Sequence, residues 1–172
     1  LVGSPGNPMG IHSPGLKVWT VGTNRGLINQ ESQAVDSDGG IHILQSYINE
    51  GVTNTGFWNS RIAHGKLRHI YRDKAGNWHS NEIGPSTRNR SEIAVDANDN
   101  LYVLAPNYRI YFASAADQWQ KWTEFDVSES SLAINEGLLD REALLKENVL
   151  SFVLVIPTTM EKSLYPITCS IK

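Results

Sequence analysis

A repeat with a 60-residue offset constrains this chain more than any other feature. Ala34-Val35-Asp36-Ser37-Asp38-Gly39-Gly40-Ile41-His42-Ile43-Leu44 is answered by Ala94-Val95-Asp96-Ala97-Asn98-Asp99-Asn100-Leu101-Tyr102-Val103-Leu104. Each copy reads as a short apolar strand, a polar turn and an alternating apolar strand. The Asp, Asn and Gly at 36–40 and 96–100 suit tight hairpins, because these residues tolerate positive φ. A second hairpin follows each first. Residues 67–83 turn at 73–77 and return through Trp78, and residues 108–126 turn through Ala115-Ala116-Asp117-Gln118 and return between Trp119 and Phe125. A weaker third copy starts at Leu138-Leu139-Asp140, passes a candidate helix at 141–148 and returns through 149–156.

Each unit therefore has four antiparallel strands, A to D. One such sheet cannot bury both faces, whereas units stacked around an axis can. The expected fold is all-β, a β-propeller with about three blades present. The expected divisions are 1–26 (a loop, with 16–21 as the final strand of a preceding blade), 27–84, 85–127, and a partial blade at 128–172 whose residues 163–172 are an outer-strand candidate. Propellers close with about 4–8 blades. The chain is thus expected to be the C-terminal part of a larger propeller, with upstream blades of the same protein as its partners.

Composition narrows the function. The 172 residues hold 15 basic and 18 acidic side chains, a formal charge of −3. No basic excess exists to neutralise a phosphate backbone, so no nucleic-acid partner is expected. The longest apolar run, 152–156, is strand-sized and far short of the roughly 20 residues that span a bilayer, so no membrane partner is expected. The single Cys169 rules out an internal disulfide framework and a Cys-rich zinc site. No His/Asp/Glu spacing marks a zinc site, and there is no Gly-rich phosphate loop or Gly-x-Ser-x-Gly elbow. No cofactor is evident; a structural calcium ion on the axis stays open.

Strand direction sorts the polar residues between two ends. The D–A and B–C connections share one end, and the tight turns share the other. At the first end the repeat aligns Gln30 with Arg90, a polar and a cationic group at one mouth. Arg88 shares that side if strand A has already begun, and Glu31 faces away as a candidate loop cap. The B–C connection, 45–66, exceeds the common length of about 2–6 residues and carries Trp58, able to stack on a sugar ring, and His64. In strand C, period two places His69 and Tyr71 on one face and Arg68, Ile70 and Arg72 on the other. A His and a Tyr two apart can serve as base and acid on a sugar ring. Bland readings stand beside these: Arg90 solvated or paired with Glu92, His69 and Tyr71 packed between blades, and Trp58 packed within its loop. Trp78, Trp119 and Trp122 read as fillers between blades. His42 reads as core or exposed rather than as a ligand, His12 and His79 lack partners, and the turn Asp and Asn residues read as turn formers.

Residues 27–36, the stretch 68–73 closed by Gly76-Asn77-Trp78, residues 90–96 and residues 149–152 resemble the BNR-repeat (neuraminidase-repeat-like) family. That family includes polysaccharide lyases, the ulvan lyases and a fungal rhamnosyl-glucuronate lyase, which are seven-bladed propellers. Their strand often reads His-Tyr-Trp-Arg where this chain has His69-Ile70-Tyr71-Arg72. The resemblance implies an extracellular protein acting on a polysaccharide or oligosaccharide by β-elimination at a uronic acid. Arg90 would neutralise the carboxylate, and His69 or Tyr71 would be base or acid. Gln30, Glu31, Trp58, His64, Arg72 and Arg88 would bind substrate. The principal catalytic histidines are expected in earlier blades, so this chain would hold only part of a site. A non-catalytic carbohydrate-binding or interaction propeller is the alternative, and a sialidase-like hydrolase ranks last.

Overall fold

The computed structural model describes residues 6–10, 12–13, 17–28, 32–106, 109–126, 136–157 and 162–170. The elements in chain order are β1 (Ser32–Val35), β2 (Ile41–Ile48), α1 (Phe57–His64), β3 (Gly65–Arg72), β4 (Trp78–Pro85), β5 (Glu92–Val95), β6 (Leu101–Ala105), β7 (Arg109–Ala113), a 3-10 turn (Ala115–Asp117) and β8 (Trp122–Asp126). β9 (Leu138–Asp140), α2 (Arg141–Glu147), β10 (Val149–Pro157) and β11 (Lys162–Ser170) follow. They form two four-stranded sheets, β1-β2-β3-β4 and β5-β6-β7-β8, and a three-stranded sheet, β11-β10-β9. Every pairing is antiparallel between sequence neighbours. This is the all-β blade architecture expected from the repeat.

The equivalence of the two copies holds in register and in space. Ala34 pairs with His42 and Ala94 with Tyr102. The inner strands β1 and β5 lie side by side. The Ser32 hydroxyl accepts from the Ile93 amide (3.2 Å) and donates to Glu92 (3.1 Å). Arg141, the first residue of α2, joins the same point through the Ser32 hydroxyl at 2.9 Å and Glu92 at 2.6 Å. The two inner strands and α2 of the third unit thus meet at one polar knot.

The tight turns share one design. Asp36, Asp73 and Asp96 each donate their amide to the carbonyl of the residue four later and accept the amide of the residue three later on their own carbonyl, and each takes the amide of the residue four later on its Oδ1, at 2.6, 2.7 and 2.9 Å. The fourth turn position is left-handed in all three: Gly39, Gly76 and Asp99. Glycine adopts this conformation without strain, and Asp is among the few other residues that tolerate it. Asp99 has a further use: its carboxylate takes the Ser37 amide at 2.8 Å and the Ser37 hydroxyl at 2.6 Å, clipping the two A–B turns together. Asp96 is buried and also accepts from Tyr102 Oη at 3.3 Å. Burial and the Asp96 charge push the Tyr102 phenol up to about 12, so it remains a donor.

The core lies between the sheets. One cluster joins Ala34, Leu44 and Leu67 of the first sheet to Ile93, Leu101, Val103, Ala105 and Tyr111 of the second. The other joins Ala94, Tyr102, Leu104 and Ile110 to Leu144, Leu150 and Phe152 of the third unit. All five residues of β6 are buried, alternate side chains going to opposite clusters.

Three sequence expectations change. Residues 17–22 form no strand; Trp19 donates its indole N–H to Tyr47 Oη of β2 at 3.0 Å. The B–C connection shortens to 49–64 and holds α1, because β2 and β3 pair out to Ile48 and Gly65. Trp119 precedes β8 in a left-handed conformation rather than opening the strand. The helix at 141–147 and the outer strand β11 match expectation.

Asp96→Ala removes four side-chain hydrogen bonds from a buried turn. At roughly 1 kcal/mol each, partly offset by water, the variant is expected to lose about 2–3 kcal/mol in urea unfolding. A loss below about 0.5 kcal/mol would contradict this role.

Candidate functional site

The D–A connection and α1 meet at one end of the sheets. Arg61 of α1 is wholly buried and donates to three carbonyls: Thr87 at 2.8 Å, Gly26 at 2.8 Å and Ser46 at 3.1 Å. Ser86 returns a bond to the Arg61 carbonyl at 2.8 Å and takes its backbone partner from Gly65 at 3.0 Å. A buried cation keeps its position only while such bonds replace its water. Arg61 therefore fixes α1 against residues 86–91. The anchored helix turns Trp58 outward, 47% exposed and edge-on to Phe57 at 4.8 Å. His64, in its last turn, is exposed, as is Arg88 on the neighbouring connection.

Arg90 lies on that connection, half exposed. Its fork grips Glu136 with Nε to Oε1 at 3.2 Å and Nη2 to Oε2 at 3.1 Å, and its amide donates to Oε1 at 3.1 Å. These bonds hold the Glu136 carboxyl below its usual range. The partner is Glu136 rather than the expected Glu92, which is taken by Arg141. Bidentate geometry of this kind is how arginine recognises a carboxylate. Gln30 and Glu31 lie outside the described residues.

His69 and Tyr71 share one face of β3, as period two requires, with rings stacked at 4.7 Å. Both are buried between the first and second sheets. His42, opposite Tyr71 in the ladder, completes the group. His42 Nδ1 lies 2.8 Å from His69 Nε2, and His42 Nε2 lies 3.3 Å from Asp36 Oδ2. The partners fix the tautomers. Asp36 accepts from His42 Nε2–H, so Nδ1 accepts from His69 Nε2–H, and His69 Nδ1 is a lone pair without a hydrogen-bond partner. Trp119 and Trp122 of the second unit meet these rings edge-on, at 4.4 Å from His42 and 5.4 Å from His69. Burial lowers the pKa of His42 against the opposing pull of Asp36, and lowers that of His69 further.

Sequence reading missed the His42–His69 pair. His42 showed its side through alternation with Leu44, but only the β2–β3 register brings it beside His69. His79, read as unpartnered, has Nε2 at 2.7 Å from Asp73 Oδ2, and this bond first, then the turn, pushes Asp73 down to about 2. The short turns bring the Asp to its strand neighbour, a contact invisible to spacing alone.

The candidate residues thus separate. Trp58, His64, Arg88 and Arg90 stand at the α1 end, His69 is sealed in the sheet interface, and Tyr71 runs from that interface to the tight-turn end, where its ring lines a cleft beside Arg72. Arg72 bonds the Gly76 carbonyl at 3.1 Å at the tight-turn end. That end holds a cleft of about 890 Å3, lined by Tyr71, Trp119 and four carboxylates, Asp36, Asp38, Asp73 and Asp99, against two cations, Arg72 and Lys74. Among the described residues no three metal-ligating side chains converge.

Unfolding exposes His42 and His69, whose ordinary pKa is 6.5. Below that pH the unfolded chain takes up protons that the folded imidazoles refuse, so stability falls as pH drops below about 6.5. Denaturant midpoints at stepped pH measure this; a flat profile from pH 7 to 5 would contradict a neutral buried pair.

No curated protein matches the chain. Residues 2–86 match a family model described as BNR repeat-containing family member. The match covers the whole first sheet, from ahead of β1 to the end of β4.

Proposed function

We propose that this chain is part of a carbohydrate-active propeller that binds uronic-acid-containing glycans at the α1 end. The observation that carries the reading is an exposed Trp58 on α1, which Arg61 ties to Thr87, next to the exposed Arg88 and three residues before Arg90. A sugar ring offers an apolar face for stacking on the indole, and a uronate offers a carboxylate that matches an arginine fork. Glu136 already displays that match, so a glycan carboxylate would replace it on Arg90. The tight-turn end suits an acidic glycan poorly, because its carboxylates outnumber its cations four to two.

The lyase resemblance implies β-elimination, in which a cation, a base and an acid act on one ring. Here the cation candidate is at the surface, and the base candidate His69 is fully buried against Trp119 and Trp122. This separation favours binding without turnover by these 172 residues.

Calorimetric titration with oligouronates and with neutral oligosaccharides tests the reading. Trp58→Ala is expected to weaken oligouronate binding about tenfold, equivalent to ~1.4 kcal/mol. Arg90→Ala is expected to weaken it and to erase the preference over neutral sugars, and Glu136→Gln to strengthen it by freeing the fork. Binding unchanged in the first two variants would overturn the site. A rise in the unsaturated-uronate absorbance on incubation with the polymer would overturn the non-catalytic reading.

A further inference from the structure

The contact between the first and second sheets has two parts. One is aliphatic, with Leu44 and Leu67 against Leu101 and Val103. The other is polar and aromatic: His42, His69 and Tyr71 of the first sheet meet Trp119 and Trp122 of the second unit. Three features of the polar part are held at a cost. His69 Nδ1, an acceptor, is buried without a hydrogen-bond partner, and so is Trp122 Nε1, a donor. Gln118 and Trp119 are consecutive left-handed residues, each with φ 57°, and neither is glycine. Bonds from the first sheet keep that turn in place. Asn81 Nδ2 donates to the Trp119 carbonyl at 3.1 Å, and Tyr71 Oη donates to the Gln118 carbonyl at 3.3 Å. The cluster that joins the second sheet to the third unit differs: among the described residues, none of its side chains has an unpartnered buried polar atom.

A proton deepens this imbalance. On His69 it can land only on Nδ1, and no acceptor meets it there. Among the described residues, His42 is the one ionisable group whose charge reaches His69, and its Nδ1 already accepts the His69 Nε2–H. From the turns, Asp36 and, at longer range, Asp99 favour a charge on His42 but are outweighed by its burial. From β3 and β4, Tyr71 stacks between His69 and His79, and His79 is spent on Asp73. From the second unit, Trp119 and Trp122 bring rings and no carboxylate. A charged imidazolium therefore has nothing to replace its water while the sheets are together.

We propose that the contact of His42 and His69 with Trp119 and Trp122 is an acid-released latch, whose protonation parts the first sheet from the second while the second stays packed on the third unit. Parting gives His69 Nδ1 and Trp122 Nε1 to water and frees the turn at 118–119 from the two bonds that hold it left-handed. The apolar contact of the second sheet with the third unit loses nothing in the same step. The opening is local, so it precedes the unfolding of the whole chain. Acid drives it because the imidazoles take protons in the open form and refuse them in the closed one.

Hydrogen exchange of the indole N–H groups, divided by the rate of free indole, reads the opening constant directly. An imidazole that stays neutral when closed and has its ordinary pKa of 6.5 when open raises that constant about 25-fold between pH 7 and 5. The Trp119 and Trp122 indoles are expected to show at least this rise. At each pH they are also expected to open more often than the backbone amides of β6, which are released only when the second sheet itself comes apart. His69→Gln keeps a donor for His42 Nδ1 and takes no proton, so its rise is expected to be smaller by roughly fivefold or more. Indole opening that ignores pH, indole constants equal to those of β6, or an undiminished rise in His69→Gln would each overturn the proposal. The first two comparisons need only the wild-type chain, so they decide the matter even where the variant fails to fold.

Discussion

Burial of the second sheet on both faces is the constraint on which the rest of the structure depends. β6 sends Leu101, Val103 and Ala105 to one neighbour and Tyr102 and Leu104 to the other. Each buried aliphatic side chain of this size contributes about 1.5–3 kcal/mol, so neither interface can be given up cheaply. A sheet used in this way cannot stand alone, and the repeat supplies its neighbours. The polar bonds among Ser32, Glu92 and Arg141 then set how the inner strands meet.

Packing in this manner leaves the two ends free to differ. The tight-turn end is stiffened by three copies of one Asp-centred turn and by the Ser37–Asp99 clip. Its carboxylates are spent on backbone amides, His42, His79 and Lys74. The opposite end is built from connections, and its geometry rests on Arg61. One buried guanidinium there holds α1 to segments that are remote in sequence. The outward Trp58 and the neighbouring arginines are consequences of that anchor.

The repeat made the sheets, their order and the tight turns legible, because each depends on residues close in sequence. Alternation also placed His69 and Tyr71 on one face. What stayed hidden depends on partners from other segments. α1 has eight residues, no side-chain N-cap bond and its large apolar groups, Phe57, Trp58 and Ile62, facing solvent, so no buried periodicity announces it. The His42–His69 bond needs the β2–β3 register, which follows a connection of 16 residues between Ile48 and Gly65. Glu136 reaches Arg90 across 46 residues, a distance at which spacing carries no signal.

Methyl-to-methyl and methyl-to-aromatic nuclear Overhauser effects test the central claim most directly. Leu101 and Val103 should show cross-peaks to Leu44 and Leu67, while Leu104 shows them to Leu150 and Phe152. A shared set of neighbours for Leu101 and Leu104 would place β6 on a single core and contradict the account.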